Sequence, residues 1–372
     1  MCLSAGDSMS IELEAQKEPE HKRWIPLARQ VVHRTLGLRW KDVLEIYTYT
    51  PTIPLAEALA LEARRQGSDT HVTLMTDDLW LTSMEELPVR WLRTPSDVEH
   101  AINRAITAYV YLGGPQDARR FRNIPPEKFE ANAIGNIRQD EPMRRRKVRQ
   151  VDLPIGRVSP ERAEAYGLDY ERWHKSYNAA LAVDLRDIQK AGATWCRRLK
   201  GRKKVNVASD AGTNLKFETK GVPPMVDDGI ISAFDVRRGF VETSLPAGKI
   251  VWAVLANSVH GEIYFTDPLL LMGKAVKGLH LRFKDGKLGE WGAEKNPELL
   301  KNLLRNRRGA DNRMGWFSIG LNAAAEPCML DNSIVQNDVG IGLGPHPQLK
   351  PTKAQLMPQF GATIGQVRIE VD

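Results

Sequence analysis

The stretch VLEIYTYTPTIPLAEALALEARRQGSDTHVTLM, residues 43–75, decides the fold class of this 372-residue chain. Residues 43–47 form a short apolar and aromatic run that is typical of a buried strand. Residues 54–65 predict a helix, because proline suits its first turn and Gly67 follows its end. The apolar residues of this segment fall on one helical face: Leu55, Ala58, Leu59 and Ala63. Residues 71–75 read as the next strand, and the strand–helix–strand order predicts a parallel sheet covered by helices.

The rest of the first half continues this pattern. Residues 109–112 predict a third strand, which ends at a glycine pair. The turn after the first strand, residues 50–52, has no glycine-rich phosphate loop, so a dinucleotide site is not expected. Further elements are predicted in order: a helix over 126–148, a short strand over 151–155, a helix over 159–166 capped by Ser159, and a long helix over 169–199 interrupted near Gly192. Tyr170, Trp173 and Tyr177 recur at helical spacing and predict a packing face.

After Gly201 the sequence changes to short β-type runs separated by glycine. These runs are 205–208, 215–218, 250–254, 261–265, 279–283 and 367–371. Asp285-Gly286 predicts a hairpin turn, and one helix is predicted over 297–305. We therefore predict an α/β chain with three parts: a flexible extension over 1–20, a parallel-sheet α/β domain over 21–200, and a β-rich domain over 201–372.

The formal net charge is +7, and the basic residues occur in clusters. Two clusters are candidates for a surface that attracts an acidic partner: Arg144, Arg145 and Arg146, and Arg305, Arg307 and Arg308. Solvated surface is the plainer interpretation of the same residues. Nucleic acid is not expected as a partner, because the sequence contains no known nucleic-acid-binding motif.

The cysteine and hydropathy patterns indicate a cytoplasmic protein. Cys2, Cys196 and Cys328 lie far apart, which argues against both a disulfide framework and a cysteine zinc site. No apolar run approaches the roughly 20 residues that a membrane helix needs. The first residues lack the pattern of a secretory signal.

The order of elements and several local motifs resemble the aminopeptidase T family of thermophilic-type metallo-aminopeptidases, whose scaffold is shared by 2,5-dihydroxypyridine dioxygenases. The resemblance covers roughly residues 22–372. In the first half it rests on Trp24-Ile25-Pro26-Leu27-Ala28, Pro54-Leu55-Ala56 and Arg65-Gln66-Gly67-Ser68. In the second half it rests on Gly212-Thr213-Asn214-Leu215, Leu245-Pro246-Ala247-Gly248, Gly261-Glu262-Ile263, 283–287 and Gly320-Leu321-Asn322.

The resemblance implies a homodimer with a two-metal site, yet the residues at the implied ligand positions are not ligands. The two glutamates fall on Lys249 and Trp316, one histidine falls near Gly340, and the final His-x-Asp falls near Gly361. No tyrosine follows Gly340. A protonated lysine has no acceptor and an indole has only a donor, so neither replaces a carboxylate on zinc. We therefore expect no metal and no cofactor.

A scaffold without its metal ligands predicts a non-catalytic protein that binds peptide. Such a protein resembles the metal-free peptide-binding accessory proteins of crocagin-type ribosomal peptide pathways, which implies a precursor peptide and a modifying enzyme as partners. Lys249, Arg313, Trp316 and His346 are the candidate peptide-binding residues. Trp316 is either an apolar anchor in the cleft or a core residue.

The alternative is an enzyme with a relocated metal site, either a hydrolase or a dioxygenase-like protein. His260 and Glu262 share one strand face by period two, and His346 lies near the lost histidine. Strand neighbours of this kind are more often surface pairs than metal ligands. The sequence contains no serine-hydrolase signature.

Overall fold

A computed structural model describes residues 20–304, 312–346 and 360–372. The arginines at 305, 307 and 308 and most of the predicted extension lie outside the described residues. The described chain is a mixed α/β structure with one five-stranded parallel sheet and antiparallel sheets of six, five and two strands, so the predicted fold class is confirmed. No helix among these residues is long and apolar enough to cross a membrane.

The strands in chain order are β1 (Val43–Tyr49), β2 (Asp69–Met75), β3 (Ala108–Tyr111), β4 (Arg149–Asp152), β5 (Lys204–Ala208), β6 (Asn214–Glu218), β7 (Met225–Asp227), β8 (Glu242–Ser244), β9 (Lys249–Ala253), β10 (His260–Tyr264), β11 (Leu269–Leu271), β12 (Lys274–Val276), β13 (His280–Lys284), β14 (Lys287–Gly292), β15 (Met314–Gly320), β16 (Asp338–Leu343), β17 (Phe360–Gln366) and β18 (Arg368–Val371). The helices are α1 (Ile25–Arg29), α2 (Ile53–Arg65), α3 (Asp77–Glu86), α4 (Val89–Leu92), α5 (Asp97–Ala105), α6 (Pro126–Gln139), α7 (Glu141–Arg146), α8 (Pro160–Tyr166), α9 (Tyr170–Leu181), α10 (Leu185–Arg198), α11 (Ala233–Arg238) and α12 (Glu298–Leu304).

The parallel sheet has the strand order β2-β1-β3-β4-β8. Every neighbouring pair is parallel, so the carboxyl ends of the strands meet at one edge. Its last strand, β8, comes from beyond residue 201 and leads through the 245–248 turn directly into β9. This turn therefore brings the parallel sheet next to the first residue of β9, Lys249.

Two antiparallel sheets form the second half, with orders β14-β13-β10-β6-β5-β18 and β17-β16-β15-β9-β7. Their facing sides share a core in which Phe317 contacts Phe217 of the other sheet, with ring centroids 4.8 Å apart. Trp252 stacks on Phe317 from the neighbouring strand at 5.3 Å. The predicted hairpin at Asp285-Gly286 is confirmed, since Lys284 pairs with Lys287.

The long helices break at places that the sequence pattern did not indicate. The predicted helix over 126–148 is two helices, α6 and α7, which meet at Asp140. The predicted interruption near Gly192 is wrong: the break lies between α9 and α10, where the Asp184 carboxylate accepts the Arg186 N–H at 3.0 Å and caps α10. Gly192 lies inside α10, and its lack of a side chain is explained by close packing, because a Cβ there would be only 2.8 Å from Val226.

Other predictions for this region are confirmed. The Ser159 hydroxyl accepts the Arg162 N–H at 3.1 Å and caps α8. Trp173 and Tyr177 are buried with 2% and 6% of their surfaces exposed, so the aromatic face of α9 packs into the protein. Cys196 and Cys328 are both free thiols.

Two of the three arginines in the 144–146 cluster bind helix ends. The Arg144 guanidinium donates to the Ile137 carbonyl at 2.5 Å, in the last turn of α6. Arg146 donates to the Arg104 carbonyl in the last turn of α5. The last four carbonyls of a helix lack helical partners, and a cation there also opposes the helix dipole. Arg145 instead faces solvent with 77% of its side chain exposed, 3.5 Å from Glu141.

These contacts predict unequal effects of substitution within one cluster. Arg144→Ala and Arg146→Ala should each lower the free energy of unfolding by about 1 kcal/mol, the usual contribution of one hydrogen bond. Arg145→Ala is the matched control and should change it by less than about 0.5 kcal/mol, because exposed ion pairs contribute little. Urea denaturation followed by circular dichroism measures all three. Equal losses for the three variants would contradict the helix-end assignment.

Candidate functional site

A cavity of about 300 Å³ lies on one face of the β17-β16-β15-β9-β7 sheet. Four adjacent strands contribute to its floor: β9 with Lys249, β15 with Trp316, β16 with Gly340 and β17 with Gly361. Two loops complete the wall, one over 267–270 and one over 327–333. The four positions that the resemblance assigns to lost ligands therefore line one cavity, although up to 112 residues separate them in sequence.

Lys249 occupies the floor of the cavity as part of a buried ion pair. Its Nζ lies 3.9 Å from Asp227 Oδ2, and the two residues pair across β9 and β7. Burial opposes the ammonium charge, but the carboxylates of Asp227 and Asp331 outweigh it and raise the pKa of Lys249. Lys249 is therefore a cation at neutral pH, and Asp227 already provides a carboxylate partner for it.

Trp316 fills the space above two strand glycines. A Cβ on Gly342 would lie 1.9 Å from the indole, and one on Gly361 would lie 3.0 Å from it. The indole also meets the His346 ring edge-on at a centroid distance of 5.2 Å. Its Nε1 is buried and has no hydrogen-bond partner among the described residues. Trp316 thus packs on the sheet and also lines the cavity.

His346 lies in the same cavity and is neutral. Burial and the nearby Lys249 lower the pKa of His346 to about 3. Its Nδ1 is buried without a partner in the part of the chain that the structure describes. This imidazole can therefore exchange a hydrogen bond with a ligand but cannot supply a positive charge at neutral pH.

The remaining predicted residues lie elsewhere. Arg313 does not line the cavity: its guanidinium donates to Asn257 at 2.8 Å and to the Asp285 carbonyl at 2.6 Å, beside the 285–286 hairpin. The arginines at 144–146 also lie outside it, on α7. Arg313 therefore has a structural contact that explains its position without a ligand.

The sequence analysis missed the acidic and polar residues of the two loops. Asp267 accepts a hydrogen bond from the Asn332 amide at 2.9 Å, and both residues line the cavity. Asp331 is a third lining residue, and it lies near Lys249. Loop residues with no periodicity and no motif spacing carry no sequence signal for such an arrangement.

A second chamber of about 150 Å³ adjoins the first at the carboxyl edge of the parallel sheet. Both chambers are lined by Lys249, Met329, Leu330 and Asp331, so they form one cleft. The second chamber adds Asp152 and Arg157 from the parallel-sheet edge, and Trp173 and Tyr177 from α9. Ligands of parallel α/β sheets usually bind at this edge.

The metals that the resemblance implies do not fit the residues of this cleft. Zinc binds imidazole, thiolate or carboxylate groups, and two metals need several such ligands at fixed geometry. The cavity floor instead presents an ammonium, an indole and two glycines. Within residues 20–304, 312–346 and 360–372, no three His, Cys, Asp or Glu side chains are grouped closely enough to hold a metal ion.

The alternative pair on β10 is engaged in surface contacts. Glu262 pairs with Arg282 at 2.9 Å and accepts the Tyr264 hydroxyl at 3.0 Å. His260 lies 3.8 Å from the exposed Asp285. Neither side chain lines the cleft, so the geometry gives a relocated metal site no support.

Comparisons with known proteins agree with this architecture. Aminopeptidase T from Thermus aquaticus is 40% identical over 76 residues, which are 20% of this chain and 18% of that protein. The chain thus spans only about a fifth of the curated relative that it matches. The structure of wild-type AmpT from Thermus thermophilus matches with a TM-score of 0.70 and 19% identity over 94% of each chain. That of 2,5-dihydroxypyridine dioxygenase from Pseudomonas putida KT2440 matches with a TM-score of 0.55 and 10% identity, over 94% of this chain and 93% of that one.

The two similar structures show the fold of the chain, and the family comparison shows the protein family to which it belongs. The family described as thermophilic metalloprotease (M29) matches residues 21–327, which span the parallel sheet, β9 and β15. The matched segment includes Lys249 and Trp316 and ends within the loop that borders the cavity. The chain belongs to the thermophilic metalloprotease (M29) family.

Proposed function

We propose that the chain is a non-catalytic peptide-binding protein that holds a precursor peptide in this cleft and presents it to a modifying enzyme of peptide natural product biosynthesis. The observation that carries the proposal is the floor of the cavity. Lys249, Trp316, Gly340 and Gly361 line one cavity in a metalloprotease scaffold, and they fall at the positions that the resemblance assigns to carboxylates and imidazoles.

The lining of the cleft suits an extended peptide. Trp316 and Met329 offer apolar contact area, while Ser318, Asn332 and Thr363 offer hydrogen-bonding groups. A flat aromatic side chain in a concave site is a common anchor for a bound peptide. Such a lining can contact the apolar side chains of an extended peptide and form hydrogen bonds with its backbone amides.

The chain would act in the cytoplasm, and as a homodimer if it follows its relatives. Arg145 is exposed and makes only one long contact with Glu141, so it remains able to meet an acidic segment of the peptide outside the cleft. Rim charges of this kind mainly accelerate association.

A second candidate is a metal-dependent aminopeptidase. Membership of the M29 family favours it, since the family is named for a metalloprotease activity. The two candidates differ in whether hydrolysis follows binding, so a direct assay separates them.

The first test concerns metal-dependent turnover. Purified protein supplied with zinc, cobalt, manganese or iron should release no amino acid from small peptides, because the ammonium and indole at positions 249 and 316 cannot bind the metal. Amino acid release is measured by mass spectrometry, with a chelator-treated sample as the control. Release that a chelator abolishes and added metal restores would favour the aminopeptidase.

The second test concerns Trp316. Trp316→Ala should weaken binding of a peptide selected from a random library by about 2 kcal/mol, the scale of an interface anchor. Titration calorimetry measures the affinity, and thermal melting shows whether the variant folds. Trp91→Ala is the matched control, since Trp91 is 56% exposed and lies outside the cleft. Unchanged affinity together with marked unfolding would make Trp316 a core residue.

A further inference from the structure

The cleft has a charge balance opposite in sign to that of the whole chain. Its charged lining comprises two cations, Lys249 and Arg157, and three carboxylates, Asp152, Asp267 and Asp331. The cations are already matched by acidic groups. Lys249 pairs with buried Asp227, and Asp152 attracts Arg157.

Asp267 and Asp331 form no ion pair in the described chain, although the charge of Asp331 contributes to the raised pKa of Lys249. No Lys, Arg or His of these residues lies within ion-pair distance of either carboxylate. Asp267 accepts the Asn332 amide at 2.9 Å, and Asp331 accepts the Ser333 N–H at 2.8 Å. These neutral donors orient the two carboxylates without cancelling their charge. Both acids therefore present negative charge to the cleft.

A buried acid near Asp267 also lacks a partner among the described residues, although it lines neither chamber of the cleft. Asp338 is 1% exposed, and neither of its carboxylate oxygens has a hydrogen-bond partner among the described residues. Strand pairing brings the two acids into the same region. Val339, next to Asp338, pairs with Gly365, and a Cβ added to Gly365 would be 3.7 Å from Asp267 Oδ1. Burial and Asp267 raise the pKa of Asp338 to about 7. An unpaired buried carboxylate is costly, so a positive charge at Asp267 would stabilise both acids.

We propose that the cleft selects a cationic side chain, lysine or arginine, of the bound peptide, which Asp267 and Asp331 hold directly while Asp338 reinforces the charge at Asp267. This inference rests on the proposed peptide-binding function. A carboxylate ligand is disfavoured, because it would meet the negative charges of Asp267 and Asp331. The apolar stem of lysine or arginine also suits the lining by Leu269, Leu270 and Met329.

The experiment uses N-acetylated, C-amidated hexapeptides, so that side chains carry the only charges. The full-length protein is immobilised and exposed to a randomised library of such peptides, and the bound peptides are identified by mass spectrometry. A selected peptide is then compared by calorimetry with versions in which its basic residue is norleucine or glutamate. Norleucine should weaken binding about tenfold, the effect of losing one charge-assisted hydrogen bond, and glutamate should weaken it more.

Protein variants then locate the charge. Asp267→Asn and Asp331→Asn should each reduce the preference for lysine over norleucine, and the double variant should bring the ratio close to one. Asp210→Asn is the matched control, because that carboxylate is 97% exposed and lies outside the cleft, and it should leave the ratio unchanged. Thermal melting identifies any variant that fails to fold. The preference of the wild-type protein should also fall as salt rises, a readout that needs no variant.

The outcomes separate this inference from the proposed function. If library peptides bind but show no preference for basic residues, the cationic selection is wrong and peptide binding stands. If binding requires a free amino terminus instead of a basic side chain, the side-chain inference is also wrong. If no peptide of the library binds, the proposed function fails and the inference fails with it.

Discussion

The buried carboxylate of Asp227 links the antiparallel sheet, where it pairs with Lys249, to the last strand of the parallel sheet. Asp227 ends β7, accepts the hydroxyl of Thr243 and the N–H of Ser244 on β8, and lies beside Lys249 at the start of β9. One buried carboxylate therefore contacts the parallel sheet and the antiparallel sheet together. Removing either charge would leave the other uncompensated in the interior, which costs several kcal/mol in proteins. This requirement fixes the cation at the floor of the cleft.

The volume of the Trp316 indole is a second constraint, and it acts on the neighbouring strands of the antiparallel sheet. The ring occupies the space of a side chain at position 342, where only glycine fits, and it leaves little room for one at position 361. Glycine weakens a strand because it has no side chain to pack, and here the indole supplies the missing contact area. The tryptophan and the glycines are thus one packing unit. The same unit presents an indole, and no carboxylate or imidazole, at these three positions of the sheet face.

The local charge of the cleft differs from the charge of the surface. A net charge of +7 describes the long-range attraction of the protein, and the arginines at 144–146, outside the cleft, contribute to it. Asp267 and Asp331 line the cleft and Asp338 is buried near Asp267, whereas Lys249 and Arg157 face the carboxylates of Asp227 and Asp152. Long-range attraction and short-range selection can therefore act on different segments of one peptide.

The sequence by itself determined the parallel sheet, the β-rich second half and the positions of Lys249 and Trp316, because these depend on short periodic patterns and local motifs. It did not determine where α9 ends and α10 begins, since the Asp184 cap of α10 gives no periodic signal. It also did not show that Gly192 packs inside α10 against Val226, a residue 34 positions later. Only the tertiary structure showed that Arg313 contacts a hairpin and that Arg144 and Arg146 bind helix ends. It alone also brought Asp267 to Asp338, because strand pairing unites residues that have no shared pattern in the chain. The family scaffold is thus evident from sequence, whereas the chemistry of the cleft depends on contacts between distant residues.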